Sequence, residues 1–161
     1  MDASTRLKRG AKATFQVVAE EAILIHLDTG TYFSLNKVGT EFWNQLDGQI
    51  SIAQAADAIV DKYNDILSHI VADVRALADR RPTAEDIHAF ALSIPTQYQA
   101  DAPAIVNDLN ALASTSTDLD TGLRALAEKF AGQYRVTPTM FISDLVELGG
   151  QLLTENLVDV A

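Results

Sequence analysis

Residues 13–35 alternate short apolar runs with chain reversals, as an antiparallel sheet does. The apolar runs cover residues 15–18, 23–27 and 32–35, and a DTGT turn separates the last two. Glycine in such a turn tolerates the positive φ of a tight hairpin. In the third run Phe33 and Leu35 fall on one face, whereas Tyr32 and Ser34 fall on the other. The pattern predicts a three-stranded meander whose third strand lies at an edge.

The spacing of the apolar residues changes at Asn36, from every second residue, as in a strand, to the spacing of a helix. Asn36 is a suitable N-cap, and apolar residues then recur at helical spacing until a DG turn at residues 47–48. Trp43 lies on the apolar face of this short helix. We interpret Trp43 as a core residue rather than a ligand-stacking one, because buried aromatic rings usually anchor packing.

The chain beyond Ser51 repeats itself with a period of 35 and then 36 residues. Apolar columns in the repeat trace one face of a first helix and one face of a second, which predicts three tandem helical hairpins stacked on one another. A tyrosine column and an aspartate column accompany them, and each aspartate follows its tyrosine by ten positions. We interpret both columns as packing positions, with a hydroxyl–carboxylate hydrogen bond as the specific form. The columns are Tyr63, Tyr98 and Tyr134, and Asp73, Asp108 and Asp144.

Together these patterns predict an α+β fold in which an N-terminal three-stranded antiparallel sheet packs on an extended bundle of tandem helical hairpins. Residues 1–12 are expected to form a flexible basic tail, and residues 13–81 the sheet and first hairpin. Residues 82–117 would add a second hairpin, and residues 118–161 a third hairpin with a C-terminal turn. We expect all of these segments to form one compact unit.

Charge and composition restrict the possible partners. The formal net charge is −10, and after the basic start the chain carries 8 basic and 21 acidic residues of the totals of 12 and 22. An acidic surface repels a phosphate backbone, so nucleic acid is not expected as a partner. The absence of cysteine excludes disulfides, thiolate metal sites and a cysteine nucleophile.

No catalytic, metal or cofactor site is predicted. The three histidines, His26, His69 and His88, lack the spacing of a metal-binding helix. No apolar run reaches membrane length, and the N-terminus lacks the apolar core of a signal peptide. We therefore expect a cytoplasmic protein with no membrane partner.

The segment ILIHLDTGTYFSLNKVGTEFWNQLDGQISIAQAADAIVDKY resembles the PqqD-like family of small peptide chaperones, also called RiPP recognition elements. The ending DLVELGGQLLTENLV is similar to the final helix and C-terminal turn of that family. Family members usually carry one helical hairpin after the first helix, whereas this chain is predicted to carry three. The residues that carry the resemblance are Gly30, Tyr32, Phe33, Leu35, Asn36, Gly39, Phe42, Trp43, Leu46, Gly48, Tyr63, Asp73 and Leu77.

The resemblance implies a winged-helix-like fold and a non-catalytic role in natural product biosynthesis. In that family the leader of a ribosomal precursor peptide adds to the third strand and fills a groove beside the last helix. The complex is then presented to a modifying enzyme such as a radical SAM enzyme or a cyclase. Strand addition requires an open sheet edge. The expected peptide-binding residues are Thr31, Tyr32, Phe33, Ser34, Leu35, Asn36, Ile70, Asp73, Val74, Leu77, Phe141, Asp144, Leu145 and Leu148.

Two other functions remain open at this stage. A winged-helix DNA-binding protein would share the fold, although no basic recognition helix is visible in the sequence. A helical-repeat scaffold would instead bind another protein through its hairpins, and its sheet would be purely structural.

Overall fold

The computed structural model describes residues 1–115 and 117–161, which form two compact units. Unit 1 comprises residues 1–61 and 137–161, and unit 2 comprises residues 62–136, in contrast to the one unit expected. The α+β class, with antiparallel sheets and a set of helices, is confirmed. The elements in chain order are β1 (Arg6–Arg9), β2 (Ala13–Val18), β3 (Glu21–His26), β4 (Tyr32–Leu35), α1 (Lys37–Asn44), β5 (Asp47–Ser51), α2 (Ile52–Asp79), α3 (Ala84–Gln97), α4 (Pro103–Thr115), α5 (Leu119–Gln133), α6 (Thr139–Thr154) and β6 (Val158–Val160).

The predicted meander is present in unit 1 as the antiparallel sheet β2–β3–β4. The hairpin between β3 and β4 closes with a 2.8 Å hydrogen bond from the His26 N–H to the Thr31 carbonyl, and Gly30 has φ +70°. One face of this sheet packs on α1, where Phe42 and Trp43 are fully buried. The sheet and the short helix therefore share one core.

The N-terminal residues differ from the flexible tail that was expected. Strand β1 is the central strand of a second sheet, paired antiparallel with β5 and β6. Its one apolar residue, Leu7, is buried, whereas its basic residues are exposed. The Arg9 guanidinium carbon lies 5.2 Å from the centroid of the Phe15 ring, a cation–π arrangement. Two strands from distant parts of the chain thus hold a segment that looks like a tail in sequence.

The first repeat also differs from its prediction, since α2 is one helix of 28 residues rather than a hairpin. The expected bend near Tyr63 is missing because residues 52–79 contain neither glycine nor proline to end the helix. The second repeat does form a hairpin, α3 and α4, and Thr83 caps α3 in a capping box with Asp86. Pro103 begins α4, which suits the first turn of a helix.

Unit 2 contains its own apolar core, to which the later part of α2 and helices α3, α4 and α5 contribute. Tyrosine–aspartate hydrogen bonds join successive repeats. The Tyr98 hydroxyl donates to Asp73, and the Tyr134 hydroxyl donates to Asp108 Oδ2 at 2.8 Å. The sequence-predicted bond exists, but it connects one repeat to the next rather than closing a single repeat.

We expect Tyr98→Phe to lower the free energy of unfolding of unit 2 by about 1–2 kcal/mol, because a hydrogen bond to a carboxylate is lost. Burial, reinforced by Asp73, raises the pKa of the Tyr98 phenol above its usual value. The unfolded phenol ionises near pH 10. The wild type should therefore lose stability as the pH rises above about 10, and the variant should lose less. Denaturant unfolding followed by circular dichroism measures both effects.

Tyr32→Phe is the matched control, since Tyr32 is 72% exposed. It should change stability near neutral pH by less than about 0.5 kcal/mol. A Tyr98→Phe variant as stable as this control would show that the bond to Asp73 contributes nothing.

Candidate functional site

Strand β4 presents one open edge. The strand order is β2–β3–β4, so β3 covers one side of β4, and within the described part of the chain no strand covers the other. His26 and Thr31 form a hydrogen-bonded pair, and the register places Tyr32 opposite Ile25 and Ser34 opposite Ile23. Hydrogen-bonded and non-hydrogen-bonded pairs alternate along an antiparallel ladder. Tyr32 and Ser34 therefore belong to non-hydrogen-bonded pairs, and their backbone N–H and C=O groups point away from β3. The open edge thus carries four backbone groups able to form hydrogen bonds.

Helix α6 lies beside this edge and forms a groove with β4 and the start of α1. The groove contains two cavities, of about 650 and 340 Å³. The start of β4 faces the later turns of α6, and the end of β4 faces the earlier turns. The larger cavity is lined by Phe33, Ser34, Leu35, Glu147, Leu148, Gly150, Gln151, Leu152, Thr154 and Glu155, and the smaller by Ser34, Leu35, Asn36, Val38, Gly39, Phe141, Asp144, Leu145 and Leu148.

Local signals in the sequence fix the end of the groove near α1. The Asn36 side chain caps α1 by accepting a 2.8 Å hydrogen bond from the Gly39 N–H. Gly39 fits closely between β4 and α6, since a Cβ at that position would lie 3.3 Å from Leu35 Cβ and 3.4 Å from Leu148 Cδ2. Leu35 and Leu145 are buried, and Leu148 is half-buried. The floor of the groove is therefore apolar and rests on the core of unit 1.

The rim of the groove on α6 is polar and acidic. Asp144, Glu147, Gln151 and Glu155 are exposed and follow one another at intervals of three, four and four residues. This spacing places them on one face of the helix. Among the described residues that line the two cavities, none is basic.

The structure brings most of the predicted site residues to this groove. Eight of them line the groove, while Tyr32 contributes its backbone to the open edge and Thr31 lies in the adjoining hairpin. The residues that line the groove are Phe33, Ser34, Leu35, Asn36, Phe141, Asp144, Leu145 and Leu148.

Four predicted site residues belong to unit 2 instead. Ile70 and Val74 are buried in its core, and Leu77 packs against that core. Asp73 accepts the hydrogen bond from Tyr98. These side chains are committed to packing within unit 2, so they are not part of the groove.

Sequence reasoning missed the later turns of α6. Glu147, Gln151, Leu152 and Glu155 line the larger cavity, but none belongs to a column of the repeat that was chosen as a site. Extending the helical spacing beyond Leu148 by one and two turns would have indicated Gln151, Leu152 and Glu155.

The described residues contain no group of three or more His, Asp or Glu side chains able to hold a metal ion. His26 is buried, and its Nδ1 accepts a 3.2 Å hydrogen bond from the Asp28 N–H, which supports the hairpin. Among these residues, no helix combines the length and apolarity needed to cross a membrane.

Comparison with known proteins gives one match. The family model described as Coenzyme PQQ synthesis protein D (PqqD) matches residues 21–81, a segment that begins at β3 and includes β4, α1 and α2. No curated protein and no solved structure matches the chain.

We expect Asn36→Ala to lower the free energy of unfolding of unit 1 by about 1 kcal/mol, because the first turn of α1 loses its cap. Denaturant unfolding followed by Trp43 fluorescence measures it, since Trp43 is the single tryptophan and is buried in α1. Asn36→Asp should restore most of the loss. The exposed Asn44, at the other end of α1, provides the control Asn44→Ala. Equal effects of the two alanine variants would contradict the capping role.

Proposed function

Since residues 21–81 match the PqqD family of non-catalytic peptide-binding accessory proteins, we propose that this chain binds the leader of a ribosomally made precursor peptide at the open edge of β4. In this proposal the leader adds as a further strand and its side chains enter the groove beside α6. The bound precursor is then presented to a modifying enzyme, such as a radical SAM enzyme or a cyclase.

The observation that carries the proposal is the open edge itself. An extended peptide beside β4 can exchange main-chain hydrogen bonds with Tyr32 and Ser34, whose polar backbone groups point outward. These bonds require no particular side chains in the peptide. They would therefore bind peptides of many sequences, and contacts in the groove would select among them.

Side chains of the added strand would alternate between two environments. Residues opposite Phe33 and Leu35 would point into the groove, towards Leu148 and Leu145, because those two β4 residues face the core side of the sheet. Residues opposite Tyr32 and Ser34 would point to the other face. The groove thus favours apolar residues at alternate positions of the peptide.

Rough magnitudes agree with a transient complex. Each apolar side chain buried in the groove contributes roughly 1.5–3 kcal/mol, and each main-chain bond about 0.5–1.5 kcal/mol. Ordering a flexible peptide opposes these gains by several kcal/mol. A dissociation constant on the order of micromolar follows, which suits a protein that must release its client to an enzyme.

The groove does not favour DNA binding. Its rim carries Asp144, Glu147 and Glu155. The described lining residues include no lysine or arginine side chain to contact the phosphates of DNA. Duplex DNA should therefore not perturb the backbone of β4.

A peptide titration monitored by backbone NMR tests strand addition. Precursor peptides encoded near the gene should shift the amide signals of Tyr32 and Ser34 more than that of Phe33, whose N–H already bonds to β3. Ser34→Pro should abolish binding, because it removes an outward N–H at a position where an edge strand tolerates proline. Ser34→Ala keeps that N–H and should bind as the wild type does. Unchanged binding by Ser34→Pro would refute strand addition at this edge.

The apolar floor has a separate test. Leu148→Ala should weaken peptide binding about tenfold, equivalent to the loss of roughly 1.4 kcal/mol of apolar contact. Leu92, which is 81% exposed in α3, provides the control Leu92→Ala, and calorimetric titration measures both affinities. A Leu148→Ala variant that binds as tightly as the control would show that side chains do not enter the groove.

A further inference from the structure

We propose that the peptide recognised at this groove is basic, with lysine or arginine side chains that pair with the acidic rim of α6. This inference rests on the proposed function and adds the chemical class of the ligand. The rim consists of Asp144, Glu147 and Glu155, with Gln151 between the last two.

The rim matches the length of a short added strand. From Asp144 to Glu155 a helix rises about 16 Å, at 1.5 Å per residue. Four side chains on one face of a strand occupy seven residues, and the first and last of them are about 20 Å apart at roughly 3.3 Å per residue, a difference that long basic side chains can span. Since β4 and α6 run past each other along the whole groove, a peptide on β4 would have a carboxylate of the rim near each of its ends.

These carboxylates have no positive partner within the described chain. Among the described residues, Asp144, Glu147 and Glu155 take part in no ion pair, and the side-chain hydrogen bond that involves this group is a 3.4 Å contact from the Gln151 amide to Glu147 Oε1.

Three basic side chains of unit 1 are engaged in other contacts. Lys12 pairs with Asp28, and Lys37 with Glu20 at 2.9 Å. The Arg9 guanidinium lies over aromatic rings and donates to the Asn44 carbonyl at 3.1 Å. None of these three basic side chains therefore neutralises the carboxylates of the rim.

The repeat supplies an independent comparison for Asp144. Its counterparts in unit 2 are both satisfied: Asp73 accepts the Tyr98 hydroxyl, and Asp108 accepts the Tyr134 hydroxyl and the Lys129 ammonium at 2.9 Å. The Lys129 ammonium lowers the pKa of Asp108, which keeps that aspartate ionised. Asp144 occupies the same column but is exposed at the rim of the groove, where a basic side chain of the peptide can pair with it.

The groove and rim together define a pattern for the ligand. Every second residue of the added strand points towards α6. The two central inward positions meet the apolar floor, and the inward positions before and after them meet the rim. Lysine and arginine suit the outer positions, because their stems can lie on apolar surface while the charged ends reach carboxylates.

Synthetic peptides test this pattern directly on the full chain. The probe is the acetylated and amidated peptide Gly-Lys-Ser-Val-Ser-Leu-Ser-Lys-Gly, compared with two twins that carry Gln or Glu in place of both lysines. Affinity is measured by calorimetry at roughly 0.05 M and 0.5 M salt, and the binding position by backbone NMR. We expect the lysine peptide to bind about tenfold tighter than the glutamate peptide at low salt, with a smaller ratio at high salt.

Two charge-matched variants locate the effect. Asp144→Asn combined with Glu147→Gln and Glu155→Gln should remove the preference for lysine. The control replaces the exposed Asp57, Asp61 and Asp65 of α2 with asparagine. It changes the net charge equally and should keep the preference. A control that loses the preference as the rim variant does would overturn the role of the rim.

The readouts separate this inference from the proposed function. If all three peptides shift the amides of Tyr32 and Ser34 with equal affinity, strand addition stands and the preference for a basic peptide is overturned. If none of them, nor any encoded precursor peptide, shifts those amides, strand addition fails and this inference fails with it.

Discussion

The pairing of β4 on one side only is the constraint on which the site depends. An unpaired strand edge is a hazard, because it can pair with the edge of another copy. In this chain the edge is four residues long and runs beside a helix that carries exposed carboxylates. Two copies joined edge to edge through β4 would bring two acidic rims together. The charge that favours a basic peptide therefore also opposes self-association.

The repeated helical pattern serves two purposes in the two units. In unit 2 the apolar columns are buried by neighbouring helices, and the aspartates of the column accept tyrosine hydroxyls from the following repeat. In α6 the same columns supply Phe141, Leu145 and Leu148 to a groove, and the aspartate remains at its rim. Within the described part of the chain, the same local sequence thus gives a closed core in unit 2 and the lining of an open groove in α6.

Local signals explain which parts of the fold could be predicted. The meander and α1 follow from alternation, a glycine turn and the Asn36 cap, all of which act between near neighbours in sequence. Strand β1 could not be recognised, because it has one apolar residue, Leu7, and its partners are β5 and β6, far away along the chain. The unbroken α2 was missed because the repeat suggested a bend that no glycine or proline enforces.

Only part of the groove could be predicted, again because residues distant in sequence decide which side chains line it. Both Val74 and Leu145 follow an aspartate of the column, so their local patterns are alike. Val74 is sealed in the core of unit 2, whereas the helix of Leu145 borders β4. That distinction arises from tertiary contacts alone.

Capture and release place opposite demands on such a groove. Backbone bonds along β4 accept many sequences, so they cannot select a client by themselves. Apolar contacts on the floor select for side-chain size, but stronger ones would slow the transfer to an enzyme. Charges at a solvated rim act mainly on the rate of encounter and on the choice between a basic and an acidic partner. In the proposed function, an acidic rim around a small apolar floor would therefore let the protein find a basic client quickly and still release it.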